Sequence, residues 1–90
     1  MKTFTYRVGD TIGLHARPAG ELVSYSKRFS SDIKVKKGSK EADAKRLIAV
    51  MGLGAKYGDE LTFSISGEDE DNAARELENF CNNAFGRYKE

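Results

Sequence analysis

The sequence predicts an α+β fold, an open-faced sandwich in which a four-stranded antiparallel sheet carries three helices on one face. Four segments alternate apolar and polar residues with a period of two, and three others repeat apolar residues with a period near 3.6. Their order is β-α-β-β-α-β-α, which is typical of two split β-α-β units with right-handed crossovers, followed by an added helix. Because every strand carries polar residues at alternate positions, we expect one face of the sheet to contact water.

The four strand segments each place their apolar residues on one side. These residues are Phe4, Tyr6 and Val8; Ile33 and Val35; Ala42 and Ala44; and Leu61, Phe63 and Ile65. The second and third segments are separated by Lys37-Gly38-Ser39-Lys40. Glycine readily adopts the positive φ that a tight turn needs, so this stretch predicts a β-hairpin.

Helical periodicity predicts helices at about residues 16–29, 46–53 and 70–88. Pro18 falls in the first turn of the first helix, where its missing N–H group is tolerated. Two glycines, Gly52 and Gly54, are expected to end the second helix. The third helix carries Cys81 on its apolar side, which indicates an inert core thiol.

Length and composition restrict the class of protein. Ninety residues are typical of one domain, 1–90, and 39% hydrophobic with 32% charged residues indicate a folded chain. No apolar run approaches the roughly 20 residues that cross a bilayer. Met1 is followed by a charged, alternating stretch and not by the apolar core of a signal peptide, so we expect a cytoplasmic protein without membrane insertion. A single cysteine excludes an internal disulfide and supplies no metal-ligand cluster, so we expect no metal and no cofactor.

The charge is distributed unevenly. Residues 1–57 hold twelve Lys and Arg against five Asp and Glu, whereas residues 58–90 hold three against nine. A basic first part is compatible with an acidic protein, a phosphorylated group or nucleic acid as partner, and composition does not choose among them. No aromatic RNA-recognition motif is present, so nucleic acid is the least favoured of the three.

The chemistry is concentrated in the segment Gly13-Leu14-His15-Ala16-Arg17-Pro18-Ala19, which joins the first strand to the first helix. His15 is the only histidine in the chain. The first turn of a helix leaves N–H groups unpaired and favours anions, and Arg17 adds a charged donor fork suited to phosphate. A neutral imidazole there could accept a phosphoryl group and pass it on, while Gly13 would permit close backbone approach. From the residues alone, a solvated surface histidine remains an alternative.

This same segment resembles the active-site motif of the HPr family, the histidine-containing phosphocarrier proteins of the phosphoenolpyruvate-dependent sugar phosphotransferase system. Residues 45–54, KRLIAVMGLG, resemble the second-helix motif of the family, and residues 65–70, ISGEDE, resemble its approach to the third helix. The element order also agrees with the HPr fold. The resemblance therefore extends over nearly the whole chain.

The resemblance implies a phosphocarrier and not a stand-alone enzyme. His15 would receive a phosphoryl group on Nδ1 from enzyme I and donate it to a sugar-specific enzyme IIA, with Arg17 holding the phosphate at a site formed by Ala16, Arg17 and Pro18. The resemblance also places a partner-binding surface on the first two helices, and we expect a monomer. The residues of this partner-binding surface would be Ala16, Arg17, Gly20, Ser24, Lys27, Arg46, Leu47, Ile48 and Met51. On a helix this short, at least one of the last three is expected to be exposed.

Two positions depart from the family pattern. Many Gram-positive HPr proteins carry a regulatory serine at the start of the second helix, phosphorylated by HPr kinase/phosphorylase, and Arg46 occupies that place here. Arginine cannot accept the phosphate, so no regulatory serine is expected. Ile12 stands where the family usually has Ser or Asn near the histidine, which removes a possible phosphate contact.

An alternative function is that of an HPr-like regulatory protein that binds partners without sugar-transport flux.

Overall fold

A computed structural model describes residues 1–9, 13 and 15–84. Its seven elements follow the order β-α-β-β-α-β-α, which confirms the predicted order. They are β1 (Lys2–Arg7), α1 (Ala16–Ser26), β2 (Asp32–Lys37), β3 (Lys40–Asp43), α2 (Leu47–Met51), β4 (Glu60–Ser66) and α3 (Glu70–Ala84).

The four strands form one antiparallel sheet in the order β1-β4-β2-β3. The strand periodicity is confirmed, because the predicted apolar positions are on the inner face and the intervening positions are exposed or half-buried. Phe63 is fully buried at the centre of the sheet, and its ring stacks on that of Phe4 with 4.6 Å between centroids. The fold is therefore the predicted open-faced sandwich.

The β2–β3 hairpin is closed by a two-residue turn. Lys37 pairs with Lys40 in the strand register, which leaves Gly38 and Ser39 as the turn residues. Gly38 has a φ of +60° and Ser39 has no positive φ, as in a type II′ turn. This turn matches the right-handed twist of the two strands.

Each helix contributes differently to the core. In α1 the buried residues form a stripe at helical spacing: Pro18, Ala19, Leu22, Val23 and Ser26. The buried residues of α3 include Ala73, Leu77 and Cys81. In α2, by contrast, Val50 is the buried residue, so this helix presents most of its surface to solvent.

The predicted end of α1 was wrong, whereas the predicted bounds of α2 differ from the observed ones by one or two residues, with Gly52 as the C-cap residue. The first helix ends at Ser26 and not at residue 29, because the next turn tightens: the N–H of Arg28 donates to the carbonyl of Tyr25 at 3.1 Å, an i→i−3 bond. The second helix begins after Arg46, whose backbone is extended (φ −121°), and ends at Met51. The predicted end of the third helix, at residue 88, lies outside the described residues.

Cys81 is fully buried on α3, and burial raises the pKa of its thiol, with the nearby carboxylate of Glu78 adding to the effect. A thiol with a raised pKa forms little thiolate and is unreactive. The predicted core position of Cys81 is thus confirmed, and its low reactivity stays a prediction.

Within the part of the chain that the structure describes, none of the helices has both the length and the apolar character needed to span a membrane.

Candidate functional site

His15 is the N-cap residue of α1. Its backbone is extended (φ −93°, ψ −173°), and its carbonyl accepts the first hydrogen bond of the helix, from the N–H of Ala19 at 3.0 Å. Its imidazole is half-buried and does not cap the helix. Most N-cap side chains accept a hydrogen bond from a backbone N–H group in the first turn of the helix. The imidazole of His15 makes no such bond, so the capping of α1 does not use its ring nitrogens.

The first turn of α1 offers hydrogen-bond donors beside His15. The N–H groups of Ala16 and Arg17 precede the first residue that can bond within the helix, Ala19, and therefore have no acceptor inside the helix. Pro18 is buried and has no N–H group, so it fixes the start of the helix without donating. Two amide donors at the positive end of the helix dipole favour an anion next to the imidazole.

Arg17 supplies an exposed positive charge at the same helix end. Its side chain is 88% exposed, and its Nε lies 3.7 Å from Oε1 of Glu21, one turn further along α1. An exposed ion pair of this length contributes little free energy. Rotating the guanidinium from Glu21 toward an anion at His15 would therefore cost little.

The chain before His15 is held tightly by backbone contacts. Gly13 is buried with a φ of +88°, and a Cβ added to it would lie 2.7 Å from the carbonyl oxygen of Ala55 and 3.1 Å from Cα of Lys56. The carbonyl of Gly13 in turn accepts the N–H of His15 at 3.1 Å. Gly13 thus permits a close approach between its backbone and the chain at Ala55, and a close approach to a phosphoryl group stays a prediction. Its neighbour, the segment at Ala55, gave no signal in the sequence because the contact spans about forty residues.

The residues suggested for partner binding lie together on α1 and α2, which pack side by side. On α1, Ala16, Arg17, Ser24 and Lys27 are exposed, and Gly20 is half-buried with open space where a side chain would be. On α2, the exposed fractions are 39% for Leu47, 80% for Ile48 and 38% for Met51. The expectation that at least one of these three is exposed is confirmed, and all three are. We refer to these α1 and α2 residues, with Arg46, as the α1–α2 face.

Lys45 links the two helices of the α1–α2 face through hydrogen bonds. Its Nζ donates to the carbonyl of Phe29, just beyond α1, at 2.8 Å. Its N–H donates to Oδ1 of Asp43 at 2.9 Å, which forms the turn into α2. Arg46 follows as an exposed N-cap residue whose side chain does not cap α2. The hydrogen bonds of Lys45 therefore stabilise the fold, whereas the exposed side chain of Arg46 can contact a partner.

A shallow groove of about 560 Å³ continues from the α1–α2 face toward α3. On its far side Tyr25 stacks on Phe80 with 4.7 Å between centroids, and the guanidinium of Arg28 lies 4.8 Å from the centre of the Tyr25 ring. The Tyr25 hydroxyl donates to Oε2 of Glu76 at 3.1 Å. Burial, and then this carboxylate, raise the pKa of Tyr25, so its hydroxyl is a neutral donor that fixes α1 to α3.

Comparison with known proteins decides the family. Residues 2–83 match the family model described as the PTS HPr component phosphorylation site. The chain is also 44% identical over 77 residues to the phosphocarrier protein HPr of Lysinibacillus sphaericus, covering 86% of this chain and 88% of that protein. The chain belongs to the HPr family. The resemblance stated from the sequence motifs is therefore confirmed.

Solved structures of HPr proteins share this fold. A histidine-containing phosphocarrier protein from Mycoplasma superposes with a TM-score of 0.91 at 30% identity, covering 98% of this chain and 100% of that one. An HPr dimer from Thermoanaerobacter tengcongensis gives a TM-score of 0.75 at 37% identity, covering 97% and 100%. Since that HPr is a dimer, a monomer remains a prediction for this chain.

Two residues of the HPr motif region, Ile12 and Leu14, lie outside the described residues. The expected loss of a phosphate contact at Ile12 therefore remains a prediction.

Proposed function

We propose that this HPr family member carries phosphoryl groups, accepting one from phospho-enzyme I on Nδ1 of His15 and passing it to a sugar-specific enzyme IIA. The observation that carries the proposal is the position of His15. It is the only histidine of a chain that matches an HPr phosphorylation-site model, and its imidazole, which does not cap the helix, belongs to the N-cap residue of α1. In this role residues 1–90 act as one phosphocarrier domain in the cytoplasm.

The reaction transfers a phosphoryl group from a nucleophile of enzyme I to Nδ1 of His15. The lone pair of Nδ1 forms a bond to phosphorus while the bond between phosphorus and enzyme I breaks, and its electron pair returns to enzyme I. The N–H groups of Ala16 and Arg17 can donate to the phosphoryl oxygens, and the Arg17 guanidinium can leave Glu21 to neutralise their charge. Pro18 contributes a fixed helix start. The second transfer, to enzyme IIA, repeats these steps in reverse.

The α1–α2 face is the surface we propose for enzyme I and enzyme IIA. Apolar side chains in the middle of a patch provide most of the free energy of binding, and charged residues around them steer the approach. Leu47, Ile48 and Met51 provide the apolar part, and Lys27 and Arg46 provide positive charge for an acidic partner. Ala16, Gly20 and Ser24 are small, which lets a partner approach His15 closely.

We also propose that the serine switch of many Gram-positive HPr proteins is missing at the start of α2. Arg46 occupies that position, and a guanidinium has no hydroxyl to phosphorylate. An arginine at a helix N-terminus also opposes the helix dipole, by about 0.3–1 kcal/mol. A contact with an acidic partner would offset this cost.

The test is phosphorylation of the purified chain by enzyme I, Mg²⁺ and phosphoenolpyruvate, followed by intact mass. We expect one acid-labile phosphate on the native chain and none on His15→Ala. Arg17→Ala should still accept phosphate, but more slowly, by about 10-fold. A native chain that accepts no phosphate, while another HPr protein in the same assay does, would contradict the proposal and favour a regulatory HPr-like protein.

A further inference from the structure

Lys37, at the end of β2, has contacts that its sequence position does not suggest. Its Nζ donates to the carbonyl of Gly54 at 3.1 Å and to that of Leu53 at 3.4 Å. The same Nζ lies 3.3 Å from Oδ2 of Asp59, and both side chains are about one-third exposed (31% and 33%). One ammonium group therefore holds three acceptors on a single segment, residues 53–59, which connects α2 to β4.

The segment 53–59 also contains a hydrogen-bonded turn of its own and is hydrogen-bonded to Val8, the residue directly after β1. Oδ2 of Asp59 accepts the N–H of Lys56 at 2.8 Å, and the N–H of Asp59 donates to the carbonyl of Lys56 at 2.9 Å. The hydrogen bond from Lys56, and to a smaller extent Lys37, hold the pKa of Asp59 below its ordinary value, so its carboxylate is charged at neutral pH. Val8 exchanges backbone hydrogen bonds of 2.8 and 2.9 Å with Gly58 and Asp59. The position of the segment is thus fixed at several points, and Lys37 is the contact that comes from the hairpin.

The middle of this segment supports the chain that carries His15. The carbonyl of Ala55 and Cα of Lys56 are in contact with Gly13, which leaves no room for a Cβ there. The carbonyl of Gly13 accepts the N–H of His15 at 3.1 Å. A continuous set of contacts therefore leads from the Lys37 ammonium, through the backbone of 53–59, to the backbone of His15.

We propose that Lys37 is a positioning residue for phosphoryl acceptance at His15. Its ammonium fixes the 53–59 segment, which places Gly13 and, through it, the extended backbone that sets the imidazole beside the N–H groups of α1. The inference rests on the proposed phosphocarrier function for its consequence on rate. Small displacements of a nucleophile relative to the groups that stabilise the transferred phosphate slow the reaction strongly. Lys37 itself touches neither the imidazole nor the first turn of α1.

The deciding variant is Lys37→Met, which keeps most of the apolar length of the side chain and removes the donor. The matched control is Lys36→Met, which removes the same charge from the neighbouring position of β2, on the exposed face of the sheet. The measured quantities are the maximal single-turnover rate of transfer from phospho-enzyme I and the concentration of the chain that gives half of that rate. Measurements are made at a temperature where every variant is fully folded.

We expect Lys37→Met to lower the maximal rate by about 3- to 10-fold. The half-saturating concentration should change little, because the α1–α2 face is unaltered. Lys36→Met should transfer at the native rate, and Lys37→Arg, which can reach the same carbonyls with a charged group, should restore most of it. In amide NMR spectra the N–H signals of Gly13 and His15 should shift in Lys37→Met and not in Lys36→Met.

Equal transfer rates for Lys37→Met and Lys36→Met, with unmoved Gly13 and His15 signals, would overturn the proposal even if Lys37→Met melts at a lower temperature. A native chain that accepts no phosphate would overturn the phosphocarrier function instead, and the NMR comparison would still decide whether Lys37 positions His15. If Lys37→Met does not fold, Lys37→Gln and Asp59→Asn decide by the same rate and NMR criteria.

Discussion

Two glycines on either side of His15 have opposite surroundings. Gly13 has a positive φ and contacts the backbone at Ala55 and Lys56, whereas Gly20 has ordinary helical geometry and nothing within 4 Å of the place where a Cβ would be. The first glycine is required by the packing of the chain against itself. The second leaves an open surface on α1. The histidine thus lies between a region that is fixed internally and a region that is available to another molecule.

The same contrast extends beyond the glycines. On the side of Gly13, the 53–59 segment is held by Lys37 and by the end of β1. On the side of Gly20, α2 is only five residues long and exposes Ile48 to 80%. The proposed phosphocarrier function needs both properties, because it requires one imidazole in a fixed geometry that two different proteins can reach. Substitutions on the two sides should therefore have different consequences: loss of stability on one, and loss of partner affinity on the other.

The largest effect is expected for Gly13→Ala. Alanine is strained at a φ of +88°, and its Cβ would lie 2.7 Å from the Ala55 carbonyl oxygen, so we expect a loss of about 2–4 kcal/mol in the free energy of unfolding. Urea denaturation measures this loss in the free energy of unfolding. Gly38→Ala is the matched control, because φ is also positive (+60°) but the surrounding space is open, and it should lose about 1–2 kcal/mol. Equal losses at the two positions would show that packing against the 53–59 segment contributes nothing.

An intermediate effect is expected for Ile48→Ser, which removes an exposed apolar side chain from the α1–α2 face. The free energy of unfolding should change by no more than about 0.5 kcal/mol. The concentration of the chain that half-saturates phospho-enzyme I should rise by about 10-fold, since apolar side chains that become buried in an interface contribute strongly to affinity. Steady-state phosphoryl transfer measures this half-saturating concentration, and Thr5→Ser, on the exposed face of the sheet, is the control. An unchanged half-saturating concentration would exclude Ile48 from the interface with enzyme I.

The smallest effect is expected for Gly20→Ala. A Cβ at this helical position meets nothing within 4 Å, and alanine favours a helix over glycine, so the free energy of unfolding should rise by about 0.5–1 kcal/mol. Thermal and urea denaturation both report it. A decrease in stability would mean that the surroundings of Gly20 are not open.

The strands were predicted correctly because alternation of apolar and polar residues directly reports which side of a strand is buried, as in Leu61, Phe63 and Ile65. Helix ends were predicted less well. Apolar periodicity continues through Phe29, which is buried, but the backbone has already changed to i→i−3 hydrogen bonds there. Burial alone therefore does not distinguish the last turn of a helix from the tighter turn that follows it.

At the candidate site, the sequence indicated the position of His15 at a helix entrance, because that depends on neighbouring residues. The α1–α2 face was expected from the resemblance to the HPr family, and only the exposure of at least one of its apolar residues followed from the shortness of α2. It did not indicate the contacts of Lys37 with Leu53, Gly54 and Asp59. Lys37 was interpreted as the first residue of the turn, whereas it is the last residue of β2. Nothing local distinguishes a lysine that reaches across to another loop from a solvated one. Such contacts depend on how distant segments pack, which sequence periodicity does not describe.

The single thiol also affects how this chain behaves in an oxidising solution. Cys81 is fully buried on α3, and burial raises its pKa. Air oxidation and alkylation both proceed through an accessible thiolate, so the folded chain should form no disulfide-linked pairs during storage. A cysteine introduced on the α1–α2 face would then be the one that reacts with a maleimide dye, and the approach of a partner to His15 could be followed by fluorescence without removing Cys81.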